Sequence, residues 1–474
     1  MFPNYPDRNS SRRRFLQTAA TATAGGVLSY LGRKNAFAQN PPTCPTAPTG
    51  GTPFAPGSDK RPIVLRKSIS ALSAAELTQL QTAFAKLRAL PSTDKRTWVL
   101  QADIHALLCD QCNGVSMQIH DSWNFFPWHR AYLYYYERIL GSLVGNLNGF
   151  RLPYWDWENH RSMPGSYLTP ANTGNSLWDS NRDSGIAGGG SLPPTDGTTS
   201  RLTTLYGLTD FATFGGSATS SGACELDPHN VVHGDIGHPL SPYLDMGNLG
   251  YAARDPIFFS HHCNIDKIWA NWNAQTGSGP TDYKNPTDPA FLNAKWSFYD
   301  ENQNVVSMTA ANVLDYANNL RYTYTPFRFH IPIYEIYECR LLCCLPDPDP
   351  WAYIQVSPET AVTLLQRSSA NSLITLVLTG VPIPAGVMGV FDVVAVRNER
   401  RTQLGTLTVL ANNMPNMKHK PVTLALDIGK AVPDLLAKEH PAGIQLLARH
   451  KDDKSARPFI LRAQKAQIRV ERAQ

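Results

Sequence analysis

Between Glu225 and Trp272 the chain reads E-L-D-P-H-N-V-V-H-G-D, then a short loop, then A-R-D-P-I-F-F-S-H-H-C-N-I-D-K-I-W-A-N-W. His229 and His233 lie four residues apart, which on a helix stacks two imidazoles on one face. Asp255-Pro256 is the start signal of a second helix, an N-cap residue followed by proline. That helix carries His261 and His262, with Asp266 one turn further on, placed to steady the backbone or a ring N–H nearby. Three imidazoles from two facing helices make a metal site without a carboxylate or thiolate ligand. Such a donor set suits copper, zinc or iron and disfavours magnesium and calcium. Spacing alone does not choose among the first three.

A matching group lies upstream. His105 falls in a predicted helix over 97–109, His120 follows in Q-I-H-D-S-W, and His129 stands in F-P-W-H-R at the start of another helix. Tyr132, Tyr135 and Tyr136 on that helix read as core packing. His160, His419, His440 and His450 are isolated and read as surface residues. Two neighbouring three-histidine sites, His105/His120/His129 and His229/His233/His262, would let two copper ions share one dioxygen and suit a substrate that gives up two electrons.

The formal net charge of +5 is no sign of an acidic partner. Residues 1–38 hold six lysines and arginines against Asp7, and this segment accounts for all of it. The remainder is neutral, so nucleic-acid binding has no electrostatic support. Ser11-Arg12-Arg13-Arg14-Phe15-Leu16-Gln17 resembles a twin-arginine export signal, with Ala36-Phe37-Ala38 as its cleavage site. The expectation is periplasmic or secreted, delivered folded by the export machinery, with no stable membrane anchor. All eight cysteines lie beyond residue 38, where an oxidising destination permits disulfides.

Ser73-Ala-Ala-Glu76 is a capping box opening a helix through Leu90. Residues 162–222 are rich in Gly, Ser, Thr and Asn and read as a long irregular excursion. Beyond the Pro- and Cys-containing stretch before Trp351, segments 352–356, 361–365, 373–378, 387–396, 405–410 and 422–428 read as β-strands. The last stretch, from Lys451, reads as charged and frayed. The expected domains are a signal peptide over 1–38, a mainly α domain over 39–328, a linker over 329–350 and a β domain over 351–474.

The segments F-F-P-W-H-R-A-Y-L-Y-Y-Y-E-R-I-L-G and A-R-D-P-I-F-F-S-H-H-C-N-I-D-K-I-W resemble the two copper motifs of the plant-type polyphenol oxidases, the tyrosinases and catechol oxidases with a type 3 dicopper site. L-R-A-L-P-S-T-D-K-R, D-P-A-F-L-N-A-K-W-S-F-Y-D-E-N and Tyr322-x-Tyr324 resemble the same family, and the export signal fits an exported bacterial member. The resemblance implies a mainly α catalytic domain with a helix-bundle dicopper core, and a C-terminal antiparallel β-sandwich that shields the site until removed. It implies ortho-hydroxylation of monophenols and oxidation of o-diphenols to o-quinones with O2. Diphenol oxidation alone and a haemocyanin-like O2 carrier are the alternatives.

It also implies roles for single residues. Glu225 and Asn230 hold a catalytic water, Leu249 stands at the substrate gate, and His262 is a ligand while His261 forms pocket wall. A thioether joins His120 to Cys109 or to Cys112. Ala106 replaces the cysteine that follows the first histidine in the plant pattern, so that disulfide framework is not reproduced. The Cys339/Cys343/Cys344 cluster is either a set of disulfides or a docking point for a copper-loading partner.

Overall fold

The computed structural model describes residues 48–474 apart from 112–118, 169–173, 194–198, 238–244, 326–333, 344–351, 371, 398–399, 411–418, 437–443, 452, 454–456 and 472–474. The signal segment, Cys44, Cys112, Cys344 and His440 therefore lie outside the described residues. Among the described residues no helix is long and apolar enough to cross a membrane.

The helical part is built from α1 (Ala74–Arg88), α2 (Trp98–Ala106), α3 (Phe125–Leu143), α4 (Val231–Ile236) and α5 (Ile257–Asn273). Helix α1 begins at the expected capping box. Ser73 Oγ accepts from the Glu76 N–H at 3.3 Å, and Glu76 Oε2 accepts from the Ser73 N–H at 2.8 Å. Helix α5 starts at Ile257, whose N–H donates to Asp255 Oδ1 at 3.0 Å. Arg182 then clamps Asp255 through two hydrogen bonds of 2.6 and 2.7 Å with neither side chain exposed. A fixed Asp255 fixes the entry of the helix that carries His261 and His262.

Asp266 does not touch an imidazole. Its carboxylate accepts from Arg130 Nε at 2.5 Å, Arg66 Nη1 at 3.2 Å, and the Tyr322 and Tyr324 hydroxyls at 2.6 Å each. Burial pushes this carboxyl up, but Arg130 and Arg66 outweigh it and hold it below its ordinary range. Arg130 follows His129 on α3, and Asp266 lies one turn after His262 on α5. The ion pair therefore ties the two ligand-bearing helices together beside their histidines. The pair Tyr322-x-Tyr324 has its role here, closing the cluster from the end of the domain.

The strand-rich part follows. Short strands β1 (Lys295–Tyr299) and β2 (Val305–Thr309) form an antiparallel hairpin against the helices. The larger β structure comprises β3 (Tyr334–Cys343), β4 (Ala352–Gln355), β5 (Ile374–Val381), β6 (Gly389–Arg397), β7 (Arg400–Val409), β8 (Val422–Asp427), β9 (Ile444–His450) and β10 (Lys465–Glu471). All its pairings are antiparallel, in the order β7-β6-β9-β4-β3-β10-β5-β8. The long β3 pairs with β10 through residues 334–339 and with β4 through 340–343, so it passes from one layer to the other. Leu376, Leu378, Leu424 and Ile468 from one half meet Val393, Leu407 and Leu446 from the other in a shared core.

Strand β5 is buried along nearly its whole length. Leu376 and Leu378 face the sandwich core, while Val377 belongs to the core of the helical domain, as does Leu410. The seam carries polar anchors as well. Arg469 Nη1 donates to the Gly207 carbonyl at 2.7 Å, and the Ser221 N–H donates to the Pro421 carbonyl at 3.2 Å.

Four sequence expectations need correction. The linker over 329–350 contains β3, which lies inside the sheet. Segment 361–365 is no strand: Pro358–Ser369 is a helix, α6, capped by Ser357 Oγ on the Thr360 N–H at 3.1 Å. Its Ala361-x-x-Leu364 spacing was a helical signal read as an apolar run. The tail contains β10, whose buried alternation pairs with both β3 and β5. The excursion over 162–222 includes an eight-residue helix, Thr199–Tyr206.

Candidate metal centre

Helix α2 carries His105, α3 carries His129 at its first turn, and His120 lies on the segment between them. Their ring centroids stand 5.1–5.6 Å apart. His229 and His233 come from the π-helical turn Glu225–Asn230 and from α4, and His262 from α5. Those rings stand 4.6–5.4 Å apart. The two groups face one another, with His129 and His262 nearly parallel at 4.3 Å. All six are buried.

Hydrogen bonds to Nδ1 set the tautomers. His129 Nδ1–H donates to the Phe125 carbonyl at 2.7 Å, His233 Nδ1–H to the Met246 carbonyl at 2.9 Å, and His229 Nδ1–H to Asn230 Oδ1 at 2.8 Å. Each Nε2 therefore keeps its lone pair. Burial holds all six well below the ordinary imidazole range, His129 at about 3 and His233 at about 4, so they are neutral donors. His262 Nε2 lies 3.3 Å from His229 Nε2 and 3.2 Å from His233 Nε2. Nitrogens bound roughly 2.0–2.1 Å from a tetrahedral metal stand about 3.3–3.4 Å apart. Lone pairs crowded this closely repel unless a cation lies between them, so the donor set fits a metal. One ring nitrogen from each histidine of the first triad lies within 4.8 Å of the others, and the same holds for His229, His233 and His261. Two metal ions can be held.

His261 is seated against His229, with ring centroids 5.4 Å apart and planes 23° apart. Its Nδ1 accepts from the Trp157 indole at 3.2 Å. Its place is thus beside the second triad, against Trp157, rather than along the pocket described next. Cys109 Sγ lies 3.2 Å from His120 Nδ1.

A pocket reaches the first triad at His120. From the helical domain it is lined by His120, Asp121, Glu225, Asn230 and Leu249; from the β domain by Thr408, Val409, Leu410, His419 and Val422. Glu225 Oε1 accepts from the Asp121 N–H at 2.9 Å, and among the described residues Oε2 has no donor. Burial, then the nearby Asp121 carboxylate, push Glu225 well above its ordinary range. The Asn230 Nδ2–H donates to the Thr408 carbonyl at 3.3 Å. His419 corrects another expectation: it is not on the surface but 3.5 Å from Asp121, its side chain 8% exposed. An isolated histidine in a polar segment gave no hint of this. His160 is a surface residue as expected, its side chain 59% exposed. Among the described residues, Cys224, Cys263 and Cys339 form no disulfide.

The family profile for the common central domain of tyrosinase matches residues 95–204 and 191–275, and that of the polyphenol oxidase middle domain matches 285–332. The chain is 35% identical over 321 residues to a chloroplastic polyphenol oxidase of Vitis vinifera, covering 59% of this chain and 50% of that protein. It spans about half the length of the first curated relatives it matches. The crystal structure of a Grenache (Vitis vinifera) polyphenol oxidase matches with 31% identity and a TM-score of 0.54, over 61% of this chain and 93% of that one. A latent aurone synthase shares the fold across both domains, with a TM-score of 0.64 at 23% identity over 89% of this chain and 93% of that one. Two triads of neutral imidazoles, the matched segments that carry them and the β domain behind them lead to one statement: this chain belongs to the polyphenol oxidase and tyrosinase family of type 3 dicopper proteins.

Proposed function

We propose that the protein is a latent copper oxidase that ortho-hydroxylates monophenols and oxidises o-diphenols to o-quinones with O2. The observation that supports this most is the meeting of two neutral imidazole triads in one buried space with Glu225 and Asn230 at its edge. Two copper ions, when bound, supply the O2 and two-electron chemistry. In this reading His105, His120 and His129 hold one and His229, His233 and His262 the other. The ring of a phenol enters past Leu249, a smaller side chain than an aromatic gate. Glu225, one oxygen fixed by the Asp121 N–H, offers the other to a water that takes the phenolic proton. A Cys109–His120 thioether would hold the His120 ring in place; the short Sγ to Nδ1 distance supports Cys109 as the partner.

One observation favours a narrower activity, limited to o-diphenols. The Asn230 amide is engaged at both ends, on His229 and on Thr408. The Thr408 contact belongs to the docked β domain, however, so in this reading it is released with latency. The N-terminal twin-arginine segment supports export of the folded protein, which cell fractionation tests.

The full chain should be loaded with copper(II) and treated with hydrogen peroxide, then assayed for O2 uptake with tyramine and catechol before and after removal of the β domain. A strong near-ultraviolet band and uptake with both substrates are expected. A single metal per chain, or no catechol-dependent uptake by the trimmed protein, defeats the proposal. Uptake with catechol alone selects the narrower activity.

A further inference from the structure

Adjacent histidines pose a problem of choice at the second triad. A ring nitrogen of His261 lies within 4.8 Å of those of His229 and His233, so distance does not keep it from a metal there. Chemistry does. Trp157 is fully buried, and its indole nitrogen lies 3.2 Å from Nδ1 of His261. An indole nitrogen donates and never accepts, so His261 Nδ1 must present a lone pair. An imidazolium has no lone pair to accept with, so a ring that accepts at Nδ1 is neutral and has a single proton, which then sits on Nε2.

This is the reverse of the ligand histidines. His129, His229 and His233 each face an oxygen acceptor with Nδ1 and so leave Nε2 bare. The Asn230 amide cannot be turned round to spoil this reading for His229, because its Nδ2 donates to the Thr408 carbonyl. His261 faces a donor and so covers Nε2 with a proton. An N–H has no lone pair to give a metal.

We infer that Trp157 is a positioning residue that holds His261 in its Nε2–H tautomer, so that of the two adjacent histidines only His262 offers the second metal a lone pair. The consequence for metal choice rests on the dicopper reading above; the tautomer lock itself does not. It also accounts for the aromatic turn Leu152–Trp157, whose backbone is bound to α5 by the Trp155 N–H donating to the Ser260 carbonyl at 2.9 Å, one residue before His261.

The test uses the full-length, metal-free protein with ¹⁵N-labelled histidine, in which a protonated ring nitrogen and a bare one resonate far apart. The resonances of His261 are assigned by their loss in His261→Asn. Bare Nδ1 and protonated Nε2 are expected in the unchanged protein, and a several-fold rise in the Nδ1–H form in Trp157→Phe. Protonated Nδ1 in the unchanged protein, or no change in Trp157→Phe, overturns the inference. His261→Asn keeps an acceptor for the indole, so it also serves as the folded control. Copper analysis forms the second arm. His261→Asn should bind two copper ions per chain and His262→Asn one; the opposite result overturns the assigned metal choice. Failure of the dicopper reading shows separately, as fewer than two copper ions in the unchanged protein.

Discussion

Asn230 is engaged by protein groups at both ends of its amide, with one N–H and one oxygen lone pair still to spare. Its carbonyl oxygen orients His229 and its amide nitrogen is held by Thr408 of the β domain. If the amide helps Glu225 hold a water that deprotonates a monophenol, Asn230→Gly removes that help but leaves the step that only takes electrons from a diphenol. Tyramine hydroxylation should fall by roughly 10²-fold, the scale of a positioned acid–base contribution, and catechol oxidation by far less. Equal losses in the trimmed, copper-replete enzyme would count against the assigned role. Asp179 makes a second case. It is buried, and burial first, then the neighbouring Asp255 carboxylate, raise it to about 7. The folded state therefore binds a proton that the unfolded state releases between the ordinary carboxylate range and about pH 7. That contribution to stability is complete below about pH 4 and is lost as the pH rises through 7. Asp179→Asn keeps an oxygen for the Asn181 N–H, which now donates to Asp179 Oδ1 at 2.8 Å. It should raise the melting temperature more at pH 8 than at pH 5; a uniform shift would mean Asp179 does not titrate there. The six imidazoles that meet were legible from spacing and motif. The tautomers of His233 and His261 were not, because they depend on Met246 and Trp157, partners distant in sequence.

Between elements, the cluster of Arg66, Arg130, Asp266, Tyr322 and Tyr324 does what no single helix contact does. It joins α3 and α5 at a point one residue from His129 and one turn from His262. Asp266→Asn leaves the buried Arg130 guanidinium without its counter-charge, while Arg66 keeps Glu137 at 3.0 Å; breaking a buried pair in this way costs about 3–5 kcal/mol. Urea unfolding of the helical domain should move to lower midpoint, and copper content should fall with it as the two triads lose their spacing. An unchanged midpoint would show that packing alone holds the helices. The sequence made α1, α3 and α5 legible through caps and apolar periodicity. It hid Asp266's partners because the arginine that matters most, Arg130, is 136 residues away. The β elements were legible where one face is apolar and the other polar. Strand β3 was missed because Tyr334–Cys343 alternates only weakly and sits among prolines and cysteines that read as linker. Segment 361–365 was misread because a short apolar run does not reveal its period unless the cap before it, Ser357-Pro358, is given weight.

At the scale of the molecule, the proposed latency would depend on how the β domain is attached and where it presses. Because β3 is hydrogen-bonded into the sheet between β10 and β4, a cut between residues 344 and 351 leaves the sandwich paired to a strand still joined to the helical domain. A cut between Thr325 and Tyr334 does not. Only the second should release activity without denaturant. The pressure point is Gly234 on α4, next to His233. A methyl group added there would stand 2.9 Å from Thr408 Cγ2 and 3.4 Å from Val390 Cγ2. Alanine is a better helix former than glycine, so Gly234→Ala leaves α4 sound and burdens only the docked state. Overpacking of this kind costs about 1–3 kcal/mol, which shifts the docked equilibrium roughly 5- to 150-fold toward the open form. The uncut variant should therefore oxidise catechol several-fold faster than the uncut parent, while the two trimmed forms match. If both uncut proteins remain equally latent, the face shared by α4, Val390 and Thr408 is not what keeps substrate out. The barrier would then lie with the segment around His419 and Val422 on the far side of the pocket.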